Sequence, residues 1–148
     1  MGLKILPVII FALLLLLSIG AHFLFPVFEA IPKPYNMLGL ALIPLGLALT
    51  SWAGYLFHKT KTSLKPYEAP KFLVTSGPFQ ISRNPMYLGL VLVFLGTTIT
   101  LGSLTPFLFP VLFMLIVELL FIPKEEKKLE KAFGTRYLDY KKEVKKWV

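Results

Sequence analysis

Apolar residues fall into four long blocks separated by short polar stretches. Ile5 to Phe25 is interrupted only by Pro7, Ser18, Gly20 and His22, and Asn36 to Phe57 carries Pro44 and several glycines. Met86 to Leu101 and Ser103 to Ile122 are divided by little more than Gly102. Each block approaches the roughly 20 residues that a helix needs to cross a bilayer. The pattern predicts an all-α membrane protein with four transmembrane helices, at about 5–25, 36–57, 86–101 and 103–122. The interval at Gly102 is so short that the last two should form a tight helical hairpin. Beyond residue 122 the pattern changes. Leu129, Phe133, Tyr137, Tyr140, Val144 and Trp147 are spaced 4, 4, 3, 4 and 3, which averages to one helix face. Most of the lysines fall off that face. A C-terminal amphipathic helical segment is expected, lying in the headgroup region with its aromatics at the interface. Gly134 should weaken or break it midway. An anchor in lipid explains the stripe, and a lid over a cytoplasmic-side site would need the same stripe.

The chain thus reads as one integral-membrane domain over 1–148. It has a two-span part (1–57), a loop (58–85), and a hairpin with its tail (86–148). Lys4, the leucine run and Ser18-Ile19-Gly20-Ala21 also have the layout of a signal peptide. The apolar run continues through Phe23-Leu24-Phe25, longer than a usual signal core, so a retained first span is expected.

Composition narrows the function classes. Hydrophobic residues make up 55% and charged residues 16% of 148, against about 25% charged in soluble domains. Mean hydropathy is +0.69. A disordered chain, a disulfide scaffold and most soluble enzymes are excluded. With no cysteine there are no disulfides, thiolate zinc sites or cysteine nucleophiles. His22 and His58 are too few and too far apart for a histidine-built site, so no metal is expected.

The net charge of +8 sits beside the spans. Loop 26–35 holds Lys33 against Glu29, whereas loop 58–85 holds Lys59, Lys61, Lys65, Lys71 and Arg83 against Glu68. Nine further cations follow Pro123. The positive-inside rule then predicts a multi-pass protein with both termini and the long loop in the cytoplasm. Juxtamembrane lysines imply membrane lipid as a partner, and no nucleic acid.

Candidate chemistry gathers where the long loop meets the third span. Pro85 suits the first position of a helix. Asn84 falls at its N-cap, where a side-chain oxygen would bond a free backbone N–H. The same residues also read as plain structure, with Arg83 a positive-inside charge and Tyr87 an interfacial aromatic. The helix end adds unpaired N–H groups and a positive dipole end, and with Arg83 beside them they make a natural carboxylate pocket. Glu118 lies inside the fourth span. An intramembrane carboxylate is either functional, or it snorkels and pairs with a nearby lysine. Glu125 and Glu126 diverge by about 100° on a helix, so one can face a ligand while the other is a solvated first-turn acid.

The order Gly77-Pro78-Phe79, Arg83-Asn84-Pro85-Met86-Tyr87-Leu88-Gly89, apolar hairpin, Glu125-Glu126, Leu129, Phe133-Gly134, Tyr137 and Tyr140 resembles a known family. It is the integral-membrane methyltransferases that include isoprenylcysteine carboxyl methyltransferases and phospholipid N-methyltransferases. The resemblance runs from Lys71 to the end, and spans one and two match by position only. It implies S-adenosylmethionine as methyl donor, bound between the hairpin and the tail helix on the cytoplasmic side. It also implies Lys71, Phe72, Leu73 and Val74 along the cofactor pocket, with Phe79 where the family has a tyrosine. Asn84, Pro85, Met86 and Tyr87 match its Arg-His-Pro-x-Tyr motif, and Glu125 matches the acid that holds the cofactor's amino group. Asn84 replaces a histidine and cannot take a proton near neutral pH. Phe121 stands where the isoprenylcysteine branch has an arginine tied to its acceptor.

A lipophilic acceptor entering sideways from the bilayer is expected. It would carry an isoprenylcysteine-like carboxylate, a lipid amine or a thiol. Methyl transfer is an in-line displacement that needs alignment above all, which gives Arg83 and Tyr87 catalytic roles. An amine acceptor must also lose a proton, to Glu118 or Tyr87. Two alternatives remain at this level: an NADPH-dependent reductase of the sterol type, and a non-enzymatic membrane scaffold.

Overall fold

The computed structural model describes residues 5–60 and 70–148. The loop charges Lys61, Lys65 and Glu68, and Lys4 at the start, lie outside the described residues.

Among these residues the fold is all-α. Helix α1 covers Ile5–Leu24, and α2 covers Gly39–Lys59 after a 3-10 turn at Tyr35–Leu38. Helix α3 covers Pro85–Leu101 after a second 3-10 turn at Gly77–Gln80. A third 3-10 turn, Thr105–Phe107, leads into α4 (Leu108–Ile116), a π-helical segment (Val117–Phe121), α5 (Ile122–Phe133) and α6 (Thr135–Glu143). Three helices are long and apolar enough to cross a membrane: Leu6–Leu24, Tyr35–Lys59 and Thr105–Phe133. Helix α3 is apolar but shorter, at 17 residues, or about 26 Å against a hydrocarbon core of about 30 Å.

The tightest pairing is α2 with α3, rather than the expected hairpin of the third and fourth apolar blocks. Gly39, Gly46 and Ala53 fall every seventh residue on α2 and are buried, as are Gly89 and Gly96 on α3. A Cβ placed on Gly96 would come 2.7 Å from the Gly39 carbonyl oxygen, and one on Gly46 would come 2.8 Å from the Val93 nitrogen. Only bare backbone fits, and lipid-embedded helices gain from such close approach through dispersion. The rest of α3 packs inward. Tyr87, Leu90, Val91 and Phe94 join Phe113, Val117, Phe121 and Ile122 in the main core, with Phe11 and Leu14 of α1 against it. Phe11 meets both Phe94 and Phe113 edge-on at 5.5 Å. The outer faces stay apolar and exposed, as at Leu13, Leu16 and Leu17 of α1 and Leu108, Val111 and Leu115 along α4.

Gly102 ends α3 in left-handed geometry (φ 79°, ψ −17°). Its carbonyl accepts the N–H groups of Ala30 and Ile31 at 2.8 and 2.9 Å, so the loop after α1 is stitched to the hairpin turn. His22 and Ser103 meet there at 2.7 Å.

The helix of the fourth apolar block does not stop at residue 122. The helix continues through Pro123 to Phe133, because the π-helical segment precedes the proline. The Ile122 N–H reaches back five residues to the Val117 carbonyl, and the widened turn accommodates a residue that has no N–H and whose ring crowds the preceding turn. From Thr105 to Phe133 the helix spans 29 residues, about 43 Å. It outruns the hydrocarbon core and carries its acidic residues past the apolar section. The tail helix is broken at Gly134 (φ 54°, ψ −128°), the position where the sequence predicts it, in a conformation that favours glycine. Val144 and Trp147 lie beyond the end of α6.

Candidate active site

Three short segments converge at the end of the bundle where α3 begins. The first is the stretch leading to the Gly77–Gln80 turn. Val74 and Phe79 are buried there against Ala53 of α2, with Leu56, Phe57 and Met86 around them. Phe57 meets Phe79 edge-on at 5.1 Å. The second is Ser82-Arg83-Asn84 running into α3. Pro85 occupies the first helical turn as expected, but Asn84 makes no side-chain cap bond. Its amide Nδ2 donates instead to the Lys146 carbonyl at 3.1 Å, while its backbone N–H donates to Ser82 Oγ at 3.1 Å. The third is the α5–α6 pair. Tyr137 and Tyr140 turn inward from α6, and the Tyr140 hydroxyl donates to the Phe79 carbonyl at 2.6 Å.

These segments enclose a cavity of about 150 Å³, some ten times what one water requires. Most of its wall is apolar or aromatic, from Pro70, Phe72, Leu73, Val74, Phe79 and Met86. Its polar groups are few and opposed in charge. The Tyr87 hydroxyl donates to Glu125 Oε1 at 3.0 Å. Arg83 Nη1 lies 3.0 Å from Glu126 Oε1, and Lys141 lies 3.0 Å from the other oxygen of Glu126. The Arg83 and Glu126 side chains are only 8% and 13% exposed, so neither acid is the solvated first-turn residue that the sequence suggested. The two point apart as neighbours on a helix must, Glu125 to Tyr87 and Glu126 to Arg83. Arg83 Nε is buried with no hydrogen-bond partner among the described residues.

On α6 the tyrosines are held neutral. Burial first, and then the negative charge of Glu126, pushes the Tyr137 phenol up to about 12, with Arg83 partly opposing. Burial, followed by Tyr137, pushes Tyr140 up as well.

Of the residues singled out in the sequence, Phe72, Leu73, Val74, Phe79, Arg83, Asn84, Pro85, Met86, Tyr87 and Glu125 border this one cavity. Lys71 does not, and neither does Glu118. Glu118 sits in the π-helical segment. Its two oxygens accept from Lys146 Nζ at 2.6 Å and Trp147 Nε1 at 2.9 Å. The pairing alternative for an intramembrane carboxylate therefore describes it. The wall also includes residues that sequence reasoning had not assigned to the site: Pro7 and Val8 of α1, Thr50 of α2, Glu126, Tyr137 and Tyr140. Both tyrosines belong to the tail stripe that the sequence shows. Nothing local marks Pro7 or Thr50.

Comparison with known proteins places most of the chain in a family. The family model described as phospholipid methyltransferase matches residues 35–136. An uncharacterized protein of Haemophilus influenzae is 38% identical over 63 residues, which is 43% of this chain and 100% of that protein. No solved structure matches. From the Tyr35 turn to the first residues of α6, which frame most of the cavity, the chain belongs to the phospholipid methyltransferase family.

Proposed function

We propose that this protein is an S-adenosylmethionine-dependent membrane methyltransferase. Its acceptor is lipophilic, with a carboxylate, lipid amine or thiol as nucleophile, and the reaction takes place at the cytoplasmic membrane face. The observation that carries the reading is the cavity's chemistry. A buried arginine with an unpaired Nε and an acid held by a tyrosine stand in one aromatic-walled space. Those residues fit the donor. Arg83 suits the carboxylate of its amino-acid end, Glu125 suits its ammonium, and Phe72, Phe79 and their neighbours suit its adenine. When bound, the donor supplies an activated methyl group on a sulfonium.

The chain's own part is alignment and exclusion of water. Tyr87 fixes the rotamer of Glu125, and Arg83, held by Glu126, stands in the cavity wall. The tyrosines of α6 close one side without adding charge, because both stay protonated. For an amine acceptor, Glu118 is not placed to take the proton, since it does not border the cavity. All four apolar helices cross the bilayer in this reading, and both termini and the 58–85 loop are cytoplasmic, as the lysine distribution favours.

The test is the melting shift of detergent-purified protein with S-adenosylhomocysteine, using NADPH as control. Ligand at a hundred times its dissociation constant adds about 2.7 kcal/mol of apparent stability. A shift with the homocysteine compound alone, absent in Glu125→Ala, is the expected result. A shift with NADPH alone gives the reductase, and no shift from folded protein gives the scaffold.

A further inference from the structure

The last residues do not trail away from the body. Val144 leaves helical geometry (φ −115°, ψ 129°), and Lys145 to Trp147 cross back over the Ser82-Arg83-Asn84 turn and the π-helical segment. The Lys145 carbonyl accepts the Arg83 N–H at 3.0 Å. The Lys146 carbonyl accepts the Ser82 hydroxyl and the Asn84 side-chain amide, both at 3.1 Å. Below that crossing, Lys146 Nζ and Trp147 Nε1 take one Glu118 oxygen each, and the Trp147 ring packs against the main core. The family match ends at residue 136, so all of these contacts from the tail lie beyond it.

We propose that Lys145–Trp147, seated by Glu118, is a strap that positions the Arg83–Asn84 wall of the cavity. What that wall binds rests on the methyltransferase reading, whereas the strap's hold on it does not. Arg83 and Asn84 precede α3, so their N–H groups have no partner in its helical ladder. A buried backbone N–H needs a partner, and for Arg83 that partner is a strap carbonyl. The Lys146–Glu118 side chains are 33% and 31% exposed, and an ion pair open to that extent contributes little by itself. Its effect is geometric. With Trp147, it fixes the two peptide units whose carbonyls hold the wall. Glu118 acts through the strap, so it is a positioning residue and takes no proton from substrate.

Hydrogen exchange over residues 81–87 and the dissociation constant for S-adenosylhomocysteine, measured on the full chain and its variants, test this. Ending the chain at Val144, or Glu118→Ala, should speed exchange at Arg83. Losing two or three wall-holding hydrogen bonds should weaken the homocysteine compound about tenfold. Lys146→Arg, which keeps both the charge and the carbonyl, should match wild type in both readings. Unchanged exchange in the shortened chain overturns the strap. Faster exchange with unchanged affinity, whatever the melting temperature does, overturns its positioning role. If the shortened chain fails to fold, Trp147→Phe removes a single bond and is judged by the same two readings. If wild type fails to bind the homocysteine compound, the methyltransferase reading falls, and exchange still decides whether the strap holds the wall.

Discussion

Replacing Glu126 by glutamine should destabilise the protein more than its surface position on an amphipathic helix suggests. The carboxylate pairs with Arg83 at 3.0 Å, and the two side chains are 13% and 8% exposed. Removing one partner of a buried pair leaves a charge with neither water nor counter-ion, at a cost of about 3–5 kcal/mol. The lower end applies here, because Arg83 borders a cavity large enough to hold water. Lys141 makes an equally short contact with Glu126, but it is 38% exposed, so Lys141→Met should cost below about 1 kcal/mol. Arg83→Met combined with Glu126→Gln removes both charges. It should recover about 2 kcal/mol relative to the sum of the single variants. Thermal melting in one detergent reads wild type, the three single variants (Glu126→Gln, Arg83→Met and Lys141→Met) and the double. A loss of about 3 kcal/mol lowers the midpoint by roughly 6–12 °C at this chain length. Salt adds a check, since screening reaches exposed pairs far more than buried ones. If Glu126→Gln melts with wild type, or no lower than Lys141→Met, the buried pair is not holding the α5 wall to the α3 entry.

Arg83→Ala and Glu125→Ala should each abolish methyl transfer while the protein still inserts, as measured by turnover and by membrane fractionation. Gly46→Ala forces a Cβ to within 2.9 Å of the Val93 side chain and nearer still to backbone, and should cost about 1–3 kcal/mol. Gly54→Ala, in open space on the same helix, should melt at or above wild type, because alanine is the better helix former. Tyr140→Phe removes the bond to the Phe79 carbonyl and should cost about 1–2 kcal/mol with weaker homocysteine-compound binding. Tyr137 has its phenol raised from 10.0 to about 12 in the folded state. Its contribution to stability is therefore complete below pH 10 and lost between pH 10 and 12. Melting of Tyr137→Phe should fall less steeply across that window than melting of wild type.

Much of this was legible because membrane helices announce themselves by length and apolar content. The start of α3 was equally clear, since Pro85 permits few alternatives. The sequence also brought ten of its chosen residues to one cavity, because they lie on two short segments that α3 and α5 must bring together. What escaped it depends on tertiary pairing. The heptad of Gly39, Gly46 and Ala53 has meaning only once Gly89 and Gly96 lie opposite. Asn84 looks like a helix cap until the Lys146 carbonyl arrives from 62 residues along the chain and takes its amide. Pro123 reads as a helix stop unless a π-helical turn precedes it, and backbone geometry of that kind has no dependable residue code.

That π-helical turn also sets the phase of everything after it. A π turn holds about one residue more than an α turn, and each residue in a helix rotates the following side chains by about 100°. Deleting one residue between Val117 and Phe121 would remove that surplus and restore a plain α-helix with α5 near its present bearing. Relaxing the segment to α geometry at full length would instead swing α5 by about one residue's angle. Glu125 would then come round to about the bearing that Glu126 now holds toward Arg83, and Lys124 would face Tyr87. The buried arginine would keep an acid beside it, but the cavity would lose the carboxylate that Tyr87 holds. The extra residue and the π geometry of Val117–Phe121 are therefore tied to each other: losing both together spares the site, and losing the geometry alone turns it.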